Sequence, residues 1–269
     1  MGEHSLHTRG VAGSNPAVPT NFLMAMTQSD DHTLRETRYI NGDFPEICCH
    51  TFYSGALDET SVVVDLGGSI GVFSSALATL KNCTCHIVEA AGANYRAIQL
   101  GKKNHKYHHA ITGSDGPIDL LIPDGEEFHW GMVTPEDDAP AGTRETVPGI
   151  TLESFLKNQD IARIDLLKVD IEGAEIDMFD STPDRILCKI GQITIEFHDF
   201  VSPEMGPHIE RIKARLKDLG FTCIVFTRNF HGDVLFINRN LVPLSSWRLI
   251  LLAGPIKYWR GLKRIFDRI

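Results

Sequence analysis

The sequence lacks several patterns that would each assign it to a class of protein. Its six cysteines show no C-x-x-C spacing, which excludes the common zinc and dithiol motifs, and they are too sparse for a disulfide scaffold. No signal peptide is visible at the N-terminus. The largely apolar stretch from Trp247 to Gly254 is much shorter than the ~20 residues that span a bilayer. We therefore expect a cytoplasmic protein with reduced thiols.

Most of the chain also lacks clustered positive charge. The net charge is −9, but residues 247–269 hold six basic residues against one acid, which leaves 20 basic and 34 acidic residues before them. Binding to a nucleic-acid backbone depends on clustered Lys and Arg. We therefore expect no nucleic-acid partner.

The two ends of the chain differ from its main part. Residues 1–25 have no periodic apolar pattern and predict disorder. The run Gly13-Ser14-Asn15-Pro16 matches a translated bacterial tRNA gene, so we expect the native start at Met24 or Met26. Residues 241–269 form a basic tail with apolar residues at helical spacing, which is typical of a helix lying on an anionic membrane. A helix docked on the acidic body would show the same pattern.

Between these ends we expect an N-terminal cap (residues 26–60) and one α/β domain (residues 61–240). Short β-branched runs alternate there with amphipathic stretches, which predicts a mostly parallel sheet with helices on both faces. The predicted strands are Val62–Asp65, Cys85–Glu89, His108–Thr112, Ile164–Asp170, Ile190–Phe197, Thr222–Thr227 and Val234–Asn238. The predicted helices are Gly71–Lys81, Ala93–Asn104, Leu152–Gln159, Ala174–Asp180 and Pro203–Leu219. Residues 115–138, with eight acids and no Lys or Arg, indicate a solvated insertion or an irregular hairpin.

A glycine-rich turn follows the first predicted strand in the run Asp65-Leu66-Gly67-Gly68-Ser69-Ile70-Gly71. Glycine can adopt a positive φ and lets a ligand approach the backbone closely. The turn lacks the G-x-G-x-x-G spacing that places a pyrophosphate at a helix N-terminus. This disfavours the alternative of a nicotinamide-dependent sugar dehydrogenase or epimerase. Asp65 would repel a pyrophosphate but suits a cationic ligand such as S-adenosylmethionine.

Glu89 ends the second predicted strand, near the position at which an acid accepts hydrogen bonds from ribose hydroxyls. Together the two signals predict a nucleotide-type cofactor site at the turn. Its expected cofactor-binding residues are Asp65, Gly67, Gly68, Ser69, Gly71 and Glu89.

A second polar constellation lies in the run from Ile164 to Glu175. Strand alternation places Lys168 and Asp170 on one face, where polar groups are costly unless they are paired or used. Glu175, inside the next helix, is interpreted as a capping acid.

The chain resembles the FkbM family of methyltransferases. The matching stretches share the family's order and spacing; they are Val63 to Gly71, Val88-Glu89, Thr151-Leu152-Glu153, Asp165 to Glu175 and Ile195-Glu196-Phe197-His198. The resemblance implies a Rossmann-like class I fold with a seven-stranded sheet whose last strand is antiparallel. It also implies S-adenosylmethionine-dependent O-methylation of a sugar, glycan or other small natural product. The chain departs from the family at Gly68-Ser69, where Ala-Asn is common, and at Ala90, where proline is usual.

Transfer of a methyl group to oxygen requires alignment of the hydroxyl and removal of its proton. We assign His198 or Asp170 as the base, Glu172 as the residue that orients the acceptor, and Lys168 as the group that keeps the acids ionised. Clustered carboxylates also permit a Mg²⁺ site, which the sequence does not require. A non-catalytic binding module of a glycan-assembly complex is a third hypothesis. The sequence indicates no oligomeric state.

Overall fold

The computed structural model describes residues 43–123, 142–199, 203–227 and 230–245, together with Trp247, Leu249 and Gly254. The chain divides into two compact units, one formed by residues 1–37 and 244–269 and the other by residues 38–243. The second unit is described below. The predicted disordered segment 1–25 lies outside the described residues, as does most of the predicted basic tail 241–269.

The strands and helices of this unit follow one another along the chain with short connections. The strands are β1 (Glu46–Ile47), β2 (His50–Thr51), β3 (Val62–Leu66), β4 (Thr84–Glu89), β5 (Asn104–His108), β6 (Ala110–Ile111), β7 (Gly116–Pro123), β8 (Gly142–Ile150), β9 (Ile164–Val169), β10 (Ile190–Ile195), β11 (Phe221–Val225) and β12 (Val234–Asn238). The α-helices are α1 (Val72–Lys81), α2 (Gly92–Ala97), α3 (Leu152–Asn158), α4 (Glu175–Ser181), α5 (Asp184–Leu187) and α6 (Gly206–Asp218), with short 3-10 helices at Ser54–Ala56 and Pro203–Met205.

Seven strands form the main sheet in the order β11-β12-β10-β9-β3-β4-β5. The pairs from β10 to β5 are all parallel, whereas β12 runs antiparallel to both β10 and β11. The predicted class I fold with an antiparallel last strand is therefore confirmed. The central strands β9 and β10 are buried along almost their whole length, as expected for parallel strands covered on both faces.

A smaller sheet contains β6, β8 and β7 in that order, with β7 and β8 antiparallel over eight residue pairs. The first part of the stretch 115–138, predicted as an insertion or an irregular hairpin, is thus the regular strand β7, which pairs with β8 beyond the end of that stretch. Residues 124–141, between them, lie outside the described part of the chain. Among the described helices, none has both the length and the apolar character that crossing a bilayer requires.

The predicted third strand, His108–Thr112, is wrong in position. The main-sheet strand is Asn104–His108, and Ala110–Ile111 pairs instead with β8. The strand β5 lies at the edge of the main sheet and is mostly half-buried. An edge strand can carry polar residues, so β5 has no apolar run from which a strand could be predicted.

The helix predicted from Ala93 to Asn104 is also wrong in length, because α2 ends at Ala97. The ammonium of Lys106 donates to the carbonyl oxygens of Tyr95 at 2.9 Å and Ile98 at 3.0 Å. These bonds satisfy carbonyls at the helix end.

The segment before β3, part of the predicted N-terminal cap, is fastened to the sheet by buried polar contacts. Thr51 donates to the Asp233 carboxylate through its backbone N–H at 3.1 Å and its hydroxyl at 2.7 Å. The side-chain amide of Gln192 accepts from the Tyr53 N–H at 2.7 Å and donates to the Tyr53 carbonyl at 3.1 Å. These contacts hold the β1–β2 hairpin against β10 and β12.

Candidate functional site

Polar side chains gather at the carboxyl ends of the three central strands β3, β9 and β10. The strand register pairs Asp65 with Lys168 and Lys168 with Thr194, so the three residues form a row across the sheet. Asp170 follows two positions after Lys168, on the same side by strand alternation. Ligand sites of parallel α/β sheets lie at this edge.

Lys168 joins the acids of this row. Its ammonium lies 3.2 Å from Asp65 Oδ1 and 3.4 Å from Asp170 Oδ2, and it donates to the Gly67 carbonyl at 2.6 Å. Burial favours the neutral amine, but the carboxylates of Asp65 and Asp170 outweigh burial and raise the pKa of Lys168. Burial likewise acts to raise the pKa of Asp170, yet the Lys168 charge and the His50 contact hold that pKa well below its usual range. Lys168 and Asp170 are therefore both charged at neutral pH.

The glycine-rich turn is fixed against both neighbouring strands. The N–H groups of Gly67 and Gly68 both donate to the Val88 carbonyl at 3.0 Å. Gly67 has φ +74°, and a Cβ at this position would lie only 1.6 Å from the Asp170 carbonyl oxygen. Only glycine therefore allows the turn to approach the end of β9 so closely.

Glu89 and Asp65 have different surroundings. Glu89 accepts the N–H groups of Ser69 and Ala91, each at 2.7 Å, and burial raises its pKa to about 7 despite these bonds. Asp65 is completely buried and accepts from the Ser74 hydroxyl at 2.7 Å in addition to its ion pair with Lys168. Glu89 thus faces the turn through Ser69, whereas Asp65 lies beneath it.

His198 is held between two carboxylates. Its Nδ1 lies 2.8 Å from Glu175 Oε1 and its Nε2 lies 3.1 Å from Glu172 Oε2, with Asp170 Oδ1 at 3.9 Å. Burial acts to lower the pKa of His198, but the bonds to Glu172 and Glu175 outweigh it and raise the pKa to about 11. At neutral pH the ring is an imidazolium, which donates hydrogen bonds and has no lone pair to accept a proton.

The interpretation of Glu175 as a capping acid is incomplete. Its Oε1 does accept the backbone N–H groups of Gly173 at 3.2 Å and Ile171 at 3.4 Å at the start of α4. The side chain is nevertheless completely buried, and it also contacts His198. Glu175 therefore belongs to the site. A helix-start position alone could not reveal this contact, which spans 23 residues.

Two further site residues were not predicted from the sequence. His50, from β2, is completely buried, with Nε2 3.5 Å from Asp170 Oδ2 and Nδ1 3.5 Å from the Thr194 hydroxyl. Burial lowers its pKa, so the ring is neutral.

Glu196 lies just after β10, in a stretch that resembles the FkbM family, but the sequence pattern indicates no role for it. Burial, and then the Asp170 charge, raise the pKa of Glu196 to about 7.

The expected option of a Mg²⁺ site can be tested on these contacts. Donor atoms of His50, Asp170 and Glu196 lie within 4.8 Å of one another, as do those of Asp170, Glu172 and His198. Asp170 is common to both groups, and it already pairs with the Lys168 ammonium. His198, with a pKa of about 11, is protonated and cannot act as a ligand. The second group therefore lacks a histidine ligand, and in the first group a cation would compete with the Lys168 ammonium for Asp170.

The chain is similar to known methyltransferases in the region that carries this site. A model of the methyltransferase FkbM domain matches residues 65–223, more than half of the chain. No curated protein sequence matches it.

Solved structures with a similar fold include the methyltransferase FkbM of Methylobacillus flagellatus, at 15% identity and a TM-score of 0.44. That alignment covers 69% of this chain but only 46% of the Methylobacillus protein. A putative caffeoyl-CoA O-methyltransferase of Staphylococcus aureus is 9% identical, with a TM-score of 0.41 and coverage of 81% and 98%. TYW2 of M. jannaschii in complex with AdoMet is 13% identical, with a TM-score of 0.30 and coverage of 72% and 80%.

Proposed function

The chain belongs to the FkbM methyltransferase family, and on that premise we propose that it transfers a methyl group from S-adenosylmethionine to a hydroxyl of a sugar, glycan or other small natural product. One observation carries the proposal. The glycine-rich turn, which binds Glu89 through the Ser69 N–H, lies at the same edge of the sheet as the Lys168–Asp170 ion pair. Lys168 joins the two by donating to the Gly67 carbonyl.

The charge of the site favours a cationic cofactor. Its carboxylates outnumber its cations; they are Asp65, Glu89, Asp170, Glu172, Glu175 and Glu196, against Lys168 and the imidazolium of His198. Glu89 would accept the ribose hydroxyls, because the N–H donors of the turn hold its carboxylate in place and leave each oxygen a second lone pair. Gly67, Gly68, Ser69 and Gly71 would bring the backbone close to the cofactor. Asp65, beneath the turn, would act through Lys168.

The cofactor, when bound, supplies a sulfonium-activated methyl group. The protein must hold the acceptor hydroxyl in line with that methyl group, and alignment of this kind supplies up to roughly 7–11 kcal/mol. Glu172 is half-exposed beside His198 and would orient the acceptor. Both N–H groups of the His198 imidazolium point at carboxylates, Glu175 and Glu172, so His198 would act on the acceptor by holding Glu172 in place.

The same negative charge bears on the acceptor. A phosphate near the reacting hydroxyl would be repelled by the carboxylates around Asp170, whose charge Lys168 only partly balances. We therefore expect neutral sugars to be better acceptors than nucleotide sugars.

A labelled-methyl transfer assay over neutral sugars, nucleotide sugars and lipid-linked glycans tests the proposal, with S-adenosylhomocysteine binding measured by calorimetry. We expect transfer to at least one neutral sugar, and weaker binding and transfer for Glu89→Gln. Glu59→Gln is the matched control, because Glu59 is an exposed turn residue. A wild-type protein that binds no S-adenosylhomocysteine and labels no acceptor would refute the proposal.

Peripheral membrane contact through residues 241–269 stays a separate prediction. If the tail binds membranes, co-sedimentation with anionic vesicles should fall as salt rises. A chain truncated before Gly254 should then remain in the supernatant, and unchanged sedimentation would contradict the prediction.

A further inference from the structure

The carboxylate of Glu196 lies beside His50 and Asp170 in the polar site, and no role in the proposed methyl transfer has yet fallen to it. Its backbone N–H donates to the Val169 carbonyl at 3.1 Å, so pairing between β9 and β10 continues one residue beyond the strand end. Ile195 and Phe197 on either side are completely buried, whereas Glu196 is only half-buried. Strand alternation then places the Glu196 side chain on the face that carries Thr194 and, across the pair, Asp170.

Charged and titratable groups face Glu196 from three parts of the fold. His50 comes from β2, Lys168, Asp170 and Glu172 from β9 and the turn after it, and His198 from its own segment. An oxygen of Glu196 lies within 4.8 Å of donor atoms of both His50 and Asp170.

Three neighbouring groups of the site are poorly suited to accept a proton. Asp170 is paired with Lys168, and its pKa is far below neutral. His198 is already protonated on both ring nitrogens, because its two N–H groups point at the carboxylates of Glu172 and Glu175. His50 is neutral but completely buried, so an acceptor molecule cannot reach it.

We propose that Glu196 is the general base that receives the proton of the acceptor hydroxyl. This inference rests on the proposed methyl transfer and names the residue that completes it. As the acceptor oxygen bonds to the methyl carbon, the sulfur–methyl bond breaks and its electron pair stays on sulfur. The hydroxyl proton passes to the Glu196 carboxylate. The products are a methyl ether, S-adenosylhomocysteine and a protonated Glu196, which returns its proton to water.

The surroundings of Glu196 suit this role near neutral pH. A general base is most effective when its pKa lies close to the working pH, and such a base contributes about 10²–10⁴ in rate. Burial and the Asp170 charge raise the pKa of Glu196 to about 7. Transfer should therefore fall at acidic pH as Glu196 becomes protonated.

Glu196→Gln and Glu196→Asp test the proposal, with Glu204→Gln as the control because Glu204 is exposed and lies in the 3-10 helix before α6. We expect Glu196→Gln to bind S-adenosylhomocysteine within about threefold of wild type. At saturating S-adenosylmethionine, where the titration of Glu89 does not limit binding, its single-turnover methyl transfer to the neutral sugar found in the acceptor panel should fall by about 10²–10⁴ and lose its acidic limb. Glu196→Asp should recover part of the rate, and Glu204→Gln should match wild type.

An infrared measurement needs no acceptor. Glu89 and Glu196 both have a pKa of about 7, so two carboxylic acid groups should contribute to the band that disappears between pH 6 and 8 in the wild-type difference spectrum. Glu196→Gln should lose the Glu196 part of this band and Glu89→Gln the other part, whereas Glu204→Gln should keep both. Transfer by Glu196→Gln within threefold of wild type overturns the proposal, as does a Glu196→Gln spectrum that titrates with the wild-type amplitude. Failure of wild type to bind S-adenosylhomocysteine would instead refute the proposed function itself.

Discussion

Replacing Glu175 by glutamine should release the proton of His198 at much lower pH than in the wild type. Glu175 Oε1 and Glu172 Oε2 lie 2.8 and 3.1 Å from the two ring nitrogens, and the His198 side chain is only 11% exposed. Together they raise the pKa of His198 from 6.5 to about 11. Glu175 is the fully buried one of the two, so we assign it at least half of this shift, and losing it weakens proton binding by on the order of 3 kcal/mol, roughly a hundredfold in the dissociation constant.

Proton NMR of protein with ¹³C-labelled histidine measures this directly, with His198→Gln to assign the signal among 12 histidines. The wild-type His198 signal should stay at its imidazolium position from pH 5 to 9, whereas Glu175→Gln should move into the titrating range. Glu172→Gln is the matched control. Its side chain is half-exposed, so water screens its charge and the change should be smaller. A wild-type His198 that titrates near pH 6.5 would refute the reasoning.

The same raised pKa also predicts how stability depends on pH. A folded-state pKa above the unfolded value stabilises the fold below pH 6.5, and that stabilisation is lost as the pH rises through about 11. In Glu175→Gln the loss should start at the same pH, set by the unfolded chain, but end at a lower pH, so its total should be smaller. Thermal unfolding between pH 7 and 11 measures the difference, and parallel curves for the two proteins would contradict it.

Two further predictions concern residues that hold the site together. Gly67→Ala and Gly173→Ala both place Ala at a positive φ, costing about 1–2 kcal/mol. Nothing lies within 4 Å of the added Cβ at Gly173, whereas the added Cβ at Gly67 meets the Asp170 carbonyl. Urea unfolding should therefore show a much larger loss of stability for Gly67→Ala than for Gly173→Ala. Equal losses of stability would refute the close contact at Gly67. Lys168→Met should cost ~3–5 kcal/mol at pH 7 because it leaves buried carboxylates unpaired. The cost should be smaller at pH 4, where Asp170 can take up a proton; a cost that does not change with pH would contradict the ion pair.

The parts of the fold that carry a periodic apolar pattern could be predicted from the sequence. The strands β3, β4, β9, β10 and β12 appear close to their predicted bounds because each is a run of mostly buried, mostly apolar residues. The strand β5 could not be placed, because an edge position lets Asn104, His105 and Lys106 stand where a central strand would need apolar residues.

The site shows the same division between local and long-range information. Asp65, Gly67, Lys168 and Asp170 lie in two local motifs, so their spacing alone placed them at one edge of the sheet. His50 reaches Asp170 across 120 residues from a two-residue strand, and no motif marks it. The charge of His198 was equally invisible, since it depends on carboxylates whose burial only the folded chain determines.

Binding of S-adenosylmethionine, followed by calorimetry at pH 6 and pH 8, tests the central claim most directly. Glu89 should bind as a carboxylate, and its pKa is about 7 in the free protein. We expect wild type to bind more tightly at pH 8 and to release a proton on binding at pH 6, whereas Glu89→Gln should bind weakly with no pH dependence. NAD should not bind at either pH. Equal binding of S-adenosylmethionine by wild type and Glu89→Gln, or tighter binding of NAD, would contradict a methyl-donor site at this turn.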